Sequence, residues 1–193
     1  MEAVIKIVSK NNFFIAVKIP DSTKAWLYEK LKSEKPLLSF RNRVHPADYH
    51  ITLAFLGKIG PQSLVPLDAG LRGILAGEQS FCLTVNRLGT FGKKDEPRVF
   101  WAGVEPSEPL RRVREKVYNY CEKSGFRLDP KPFRPHITLA RKWGNPAPFQ
   151  ADDLIPVMER MDRATFLVEE IALYETRPDQ SPKYHPYALY RLH

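Results

Sequence analysis

The chain has 193 residues, 43% of them hydrophobic, enough for one large domain or two small lobes sharing a core. Thirty Lys and Arg against 22 Asp and Glu leave a formal charge of +8, which suits an anionic partner such as nucleic acid without naming one. No apolar run reaches the ~20 residues of a membrane span, and two lone cysteines, Cys82 and Cys121, make neither a disulfide framework nor a zinc site.

The N-terminus, residues 1–10, has an early acid and no small-residue cleavage site, a poor signal peptide, so a cytoplasmic address is expected. Residues 13–19 read as a strand rich in aromatic and β-branched residues. Asp21 or Ser22 can cap the helix that follows through Trp26, Leu27 and Leu31. A second strand runs from Tyr49 to Leu56 and ends at Gly57. Pro61 then opens a helix with Leu64, Leu67, Leu71 and Leu75 at three- and four-residue spacing. Strands are expected over 81–88 and 99–104, and a third helix from Pro106 carries Leu110, Val113, Val117 and Cys121 on one side. Gly125 is a fitting C-terminal cap for it. Pro130, Pro132 and Pro135 restrain an extended lead-in to a strand starting at His136. A short helix at 153–160 and two strands, 165–175 and 184–192, complete the order. This pattern favours an α+β fold with antiparallel sheets over a doubly wound parallel one. Glycine-rich phosphate loops are missing, which disfavours a P-loop enzyme.

The segment His50-Ile-Thr-Leu-Ala54 recurs word for word as His136-Ile-Thr-Leu-Ala140. A matching pentapeptide in such a chain has a chance on the order of one per cent from ordinary residue usage. The offset of 86 residues is close to half the chain, as two facing copies of one structural unit would give. Strand alternation places His50, Thr52 and Ala54 on one face and Ile51, Leu53 and Phe55 on the other. By that rule Phe55 belongs in the core. The same split sets His136 and Thr138 opposite Ile137 and Leu139.

Two histidines suit phosphodiester chemistry. Around an ordinary pKa of ~6.5, one imidazole can be neutral and take a proton while the other is charged and gives one. Each threonine hydroxyl, two residues along, can donate to a phosphoryl oxygen. This arrangement requires no metal.

These residues resemble the 2H phosphoesterase superfamily, named for two His-x-Thr/Ser-x motifs. Within it they are most similar to the bacterial and archaeal RNA 2′,3′-cyclic phosphodiesterases long called 2′-5′ RNA ligases. The matching text includes Tyr49-His-Ile-Thr-Leu-Ala-Phe-Leu-Gly57 and Phe133-Arg-Pro-His-Ile-Thr-Leu-Ala-Arg141. The resemblance implies one domain over 1–193, made of two interleaved, pseudo-symmetric lobes whose motifs line a central cleft. It implies hydrolysis of an RNA 2′,3′-cyclic phosphate end to a 2′-phosphate without a metal; no other cofactor is expected, and the chain is expected to act as a monomer. By motif position, His50 is the implied proton donor to the leaving 3′-oxygen and His136 the acceptor that activates water. Thr52 and Thr138 would hold phosphate oxygens, and Arg141 would face the dianionic product. The same resemblance allows reversible 2′-5′ ligation of RNA by the same histidines.

Blander readings compete at each position. Structural histidines on a basic RNA-binding module would bind salt-sensitively without turnover. His45, His185 and His193 lack the motif and read as surface or structural. Lys93 and Lys94 read as a solvated pair, with contact to an RNA backbone by charge as the alternative. Trp26 belongs to a helix packing face, and Trp143 is the better stacking candidate for a base.

Overall fold

The computed structural model describes residues 11–193; the first ten, on which the signal-peptide reading rests, lie outside the described residues. Aromatic and β-branched residues make the first strand, β1 (Asn12–Lys18), which is buried on both faces. Pro20 leads into α1 (Asp21–Leu31), which turns Leu27 and Leu31 inward; neither Asp21 nor Ser22 supplies the expected cap. A one-turn helix, α2 (Lys35–Leu38), and a four-residue strand, β2 (Phe40–Arg43), follow. Both escaped the sequence reading, because neither is long enough to show a period. Next come β3 (His50–Lys58) and α3 (Pro61–Leu75), and α3 buries the four leucines expected of it.

The hairpin β4 (Phe81–Gly92) and β5 (Pro97–Val104) runs longer than its hydrophobic segments suggest. Ser107 caps α4 (Glu108–Lys123), its Oγ accepting from the Leu110 amide at 3.3 Å. The helix buries Leu110, Val113, Val117 and Cys121, and Gly125, at φ 86°, turns the chain away. The proline-rich lead-in delivers β6 (His136–Trp143), and α5 (Ile155–Arg160) follows a 3-10 turn. The single strand expected over 165–175 is two, β7 (Ala164–Val168) and β8 (Glu170–Thr176), and β9 (Tyr184–Arg191) closes the chain. Among the described residues no helix is long and apolar enough to cross a membrane.

Every strand pairing is antiparallel, in the order β7-β4-β5-β6-β3-β1-β8-β9, with β2 added on β6. The fold is therefore α+β as expected, and the two strands that carry the repeat are neighbours in the middle. The break at Glu169 explains how four strands fall on each side of that centre: β7 joins β4, while β8 joins β1. The inward faces of α1, α3 and α4 share one core with Ile15, Ile51 and Ile137. A second, smaller cluster of Phe14, Ala16, Ala172 and Tyr174 lies on the opposite side of β1, with Tyr184 against it.

β3 and β6 pair at Ile51 and Ile137, which hold the same place in the two copies of the repeat. A local two-fold axis therefore passes between them. Bulges follow the same symmetry. Thr52 and Ala54 pair with consecutive residues of β1, leaving Leu53 as the extra one; Thr138 and Ala140 do the same with β5, leaving out Leu139. Each bulge shifts the alternation by one. Phe55 therefore does not enter the core as strict alternation requires: it stands 56% exposed. Arg141, its counterpart in the second copy, is likewise exposed.

Ile137 is fully buried at the axis. Ile137→Ala is expected to cost about 2–5 kcal/mol in a urea unfolding measurement, as other aliphatic truncations in closed cores do.

Candidate active site

The residues leading into each motif strand fix its histidine. His50 Nδ1 lies 2.7 Å from the Asp48 carbonyl oxygen, and His136 Nδ1 lies 2.7 Å from the Arg134 carbonyl oxygen. A carbonyl only accepts, so each ring carries a proton on Nδ1 and its Nε2 is the face left for chemistry. His50 Nε2 is 3.0 Å from Thr52 Oγ1, where the hydroxyl donates to the neutral ring. The two imidazoles thus share one tautomer and one mode of support.

The turn before His50 is built tightly. Asp48 is 5% exposed, and its carboxylate accepts from the Lys183 and Tyr184 amides, all at 3.0 Å. Lys24, buried on α1, donates to the Ala47 carbonyl at 3.1 Å. His45 Nδ1 accepts from the Ala47 amide at 3.2 Å, a structural role as expected. Asp48 therefore ties the start of β9 to the first motif. Tyr184, carried there, meets the His50 ring edge-on at 5.1 Å between centres, and Phe14 lies 4.7 Å away on a tilt. On the other side, Phe91 meets His136 edge-on at 4.9 Å, with Trp101 at 6.4 Å. Both histidines stand among aromatic walls.

Those walls set the electrostatics. Burial disfavours the charged ring and pushes the His50 pKa down to about 4. The Asp48 hydrogen bond and carboxylate pull it up, and His136 and Arg141 push it further down. His136 is lowered too, first by burial, with its carbonyl partner opposing and Arg141 adding to the fall. The positive charge of Arg141 acts on both rings and on the Tyr184 hydroxyl, lowering each.

Thr52, Phe55 and His136 open onto one cavity of about 630 Å³ that extends towards α4 and residues 128–134. Of the expected site residues, Thr52 and His136 line this cavity, and His50 adjoins it through its 3.0 Å contact with Thr52. Trp143 does not join them. Its ring packs on Phe40 and Phe149 and its Nε1 donates to the Ala147 carbonyl at 2.9 Å, so the indole is a structural piece rather than a stacking platform. Lys93 pairs with Glu96 in the β4–β5 loop. Cys121 is fully buried, its thiol pushed up to about 12 by desolvation. Asp48, Phe14 and Tyr184 were missed by the motif reading. The available signal was the position two residues before each histidine, which supplies the carbonyl. Among the described residues no three His, Cys, Asp or Glu side chains converge as a metal cage.

A model of the 2′-5′ RNA ligase superfamily matches residues 19–180. An RNA 2′,3′-cyclic phosphodiesterase of Geobacillus stearothermophilus is 40% identical over 187 residues, covering 96% of this chain and 58% of the relative. The chain thus spans little more than half the length of that relative. A Bacillus subtilis protein of the same name is 33% identical over 179 residues, covering 90% of this chain and 92% of its own. E. coli LigT, crystallised with 3′-AMP, superposes with a TM-score of 0.75 at 24% identity over 94% of this chain and 98% of its own, so it shares the fold. With two motif strands paired about a two-fold axis, this chain belongs to the 2′-5′ RNA ligase superfamily.

Proposed function

We propose that the chain hydrolyses the 2′,3′-cyclic phosphate end of RNA to a 2′-phosphate. The observation that carries this reading is the duplication: two imidazoles with one tautomer, each Nδ1 held by the carbonyl two residues back. Water attacks phosphorus and gives its proton to His136 Nε2; the bond from phosphorus to O3′ breaks, and His50 donates its Nε2 proton to that oxygen. The ring nearest the incoming water ends protonated, the other neutral, and solvent resets both. Thr52 and Thr138 hydroxyls hold the non-bridging oxygens, and Arg141 offsets the charge that grows to a dianion. Two relatives at 33% and 40% identity bear the name of this activity, which supports the reading.

The two rings have unequal neighbours. In the open cleft both rings are neutral at pH 7, because burial outweighs the other effects. A phosphodiester anion changes that balance by favouring imidazolium. Asp48 opposes the fall at His50 and Arg141 lowers both rings, so the choice of His50 as acid and His136 as base rests on their motif positions. Phe55, raised into the cleft by its bulge, offers a face for the terminal base. In this reading the chain works as a monomer in the cytoplasm, as a single catalytic domain of two interleaved halves.

Three measurements bear on these claims. Purified protein in EDTA should open a cyclic-phosphate RNA end, and His50→Ala and His136→Ala should each lose at least about a hundredfold in kcat/KM. Retention of rate by either variant rejects the two-histidine mechanism. By ring NMR, His50 should titrate near 4 in the free protein and at higher pH with inorganic phosphate bound. Its folded pKa lies below the ordinary ~6.5, so between those values the unfolded chain binds the extra proton and stability falls as pH falls. The urea midpoint of His50→Gln should lack that part of the acid loss. Finally, Asp48→Ala leaves two part-buried backbone amides without their acceptor. It should cost about 2–3 kcal/mol of stability, and cut kcat/KM about tenfold at temperatures where the variant is fully folded.

A further inference from the structure

The cavity that starts at Thr52 and His136 continues past them to a wall made by α4 and residues 128–134. The apolar part of that wall is Leu128, Pro132 and Phe133, and Arg114 stands in it, with Lys131 and Arg134 also on the cavity. The Arg114 guanidinium carbon lies 3.7 Å from the Tyr118 ring centre and 5.5 Å from that of Phe133. Such contacts hold the planar group flat at little entropic cost.

Four basic residues around it are paired with acids, whereas Arg134, on the same cavity next to the second motif, has no ion pair among the described residues. On α4, Arg111 pairs with Glu108, while Arg112 and Lys116 both pair with Glu78; across the cavity, Lys131 pairs with Asp129. No carboxylate lies within ion-pair distance of Arg114 among the described residues, and Glu115 and Glu122 act on it only from farther off. Its Nε is buried with no hydrogen-bond partner. A half-buried guanidinium held by two rings, lining a cavity and facing no carboxylate, is suited to an anion.

We propose that Arg114 receives the phosphodiester on the 5′ side of the terminal nucleotide, so that this cavity reads a polynucleotide end rather than a cyclic mononucleotide. The assignment rests on the reading of the two histidines given above. With the cyclic phosphate at the motif strands, the terminal nucleoside occupies the apolar stretch between Phe55 and Phe133. The next anion along an RNA strand then falls one nucleoside away, on the side where Arg114 stands. A nucleoside 2′,3′-cyclic phosphate has no group there. The charge of the site and that of the strand are complementary at both ends of the cavity.

The test compares adenosine 2′,3′-cyclic phosphate with the dinucleotide ApA ending in the same cyclic phosphate. The wild-type protein should favour the dinucleotide about tenfold or more in kcat/KM. Arg114→Met keeps the packing stem, and it should abolish that preference while leaving the mononucleotide rate unchanged. The salt dependence of kcat/KM for the dinucleotide should flatten by about 0.7 in log–log slope, one phosphate contact's worth on a single strand. Arg114→Lys, which restores charge without the planar fork, should recover the slope and only part of the preference; it also serves if the Met variant misfolds. Equal losses on both substrates, a preference that survives the Met change, or no preference in the wild type overturn the proposal.

If the wild type turns over neither substrate, the catalytic reading fails separately. Fluorescence anisotropy with a labelled oligonucleotide ending in a 2′-phosphate then decides. Weaker binding with a flatter salt slope in Arg114→Met upholds the subsite, and unchanged binding rejects it.

Discussion

The cleft depends on one contact, the antiparallel pairing of Ile51 with Ile137 at the centre of the sheet. When equivalent residues of two identical segments face each other in this way, the segments are related by a two-fold axis. Whatever the first presents beside the axis, the second presents on the other side. Histidine and threonine flank the isoleucine in each copy, so the pairing gathers two of each into a narrow strip. A slip of one residue would turn these side chains into the core and bring Leu53 or Leu139 out. The burial of Ile51 and Ile137 opposes such a slip, since both are fully enclosed in the core that binds the helices to the sheet. The hydrophobic interior thereby sets the register on which the polar face relies.

The bulges extend that argument. Side chains on a strand alternate, and by alternation the residue five places after each histidine should point away from it. One extra residue in each motif strand, Leu53 and Leu139, reverses the phase after the threonine. Phe55 and Arg141 consequently join the face that carries the histidines. Both bulges occupy the same place in the repeat, and the two strands share the burial sequence intermediate, buried, intermediate, buried, buried, exposed. The symmetry thus includes the irregularity, which argues for a bulge that belongs to the unit rather than to one of its copies.

These features also show what a sequence can and cannot reveal here. The helix faces of α3 and α4 were legible because the pull of one apolar core imposes a period of three and four on Leu64–Leu75 and on Leu110–Cys121. The motif strands were legible as a repeated string. The position of Phe55 was not, because a bulge leaves no local mark: Leu-Ala is as acceptable in an unbroken strand, and only pairing with β1 exposes the extra residue. The split of the last long strand at Glu169 was hidden for a related reason, since its two parts are sorted by partners far away in the chain. Asp48 could not be identified by type either. Its part is played by a main-chain carbonyl and by a carboxylate bound to amides 135 and 136 residues further on.

A symmetric pair of histidines cannot by itself run a reaction with a direction, because an acid and a base are needed at once. The identical pentapeptides contain nothing that separates the two rings. Their neighbours do. Two places before the histidine, the first copy has Asp48 and the second Arg134; five places after, the first has Phe55 and the second Arg141. The first half therefore adds a carboxylate and an aromatic surface, the second two guanidinium groups. Of the two rings, negative charge from Asp48 acts on His50 alone and opposes the fall that burial imposes on it, while the positive charge of Arg141 lowers both. The aromatic face and the cation also stand on opposite sides of the axis, so a nucleotide with a base at one end and a phosphate at the other has a preferred way to lie. In the proposed reading the duplicated strands supply the two proton carriers, and the divergence outside them gives the two sides of the axis different neighbours.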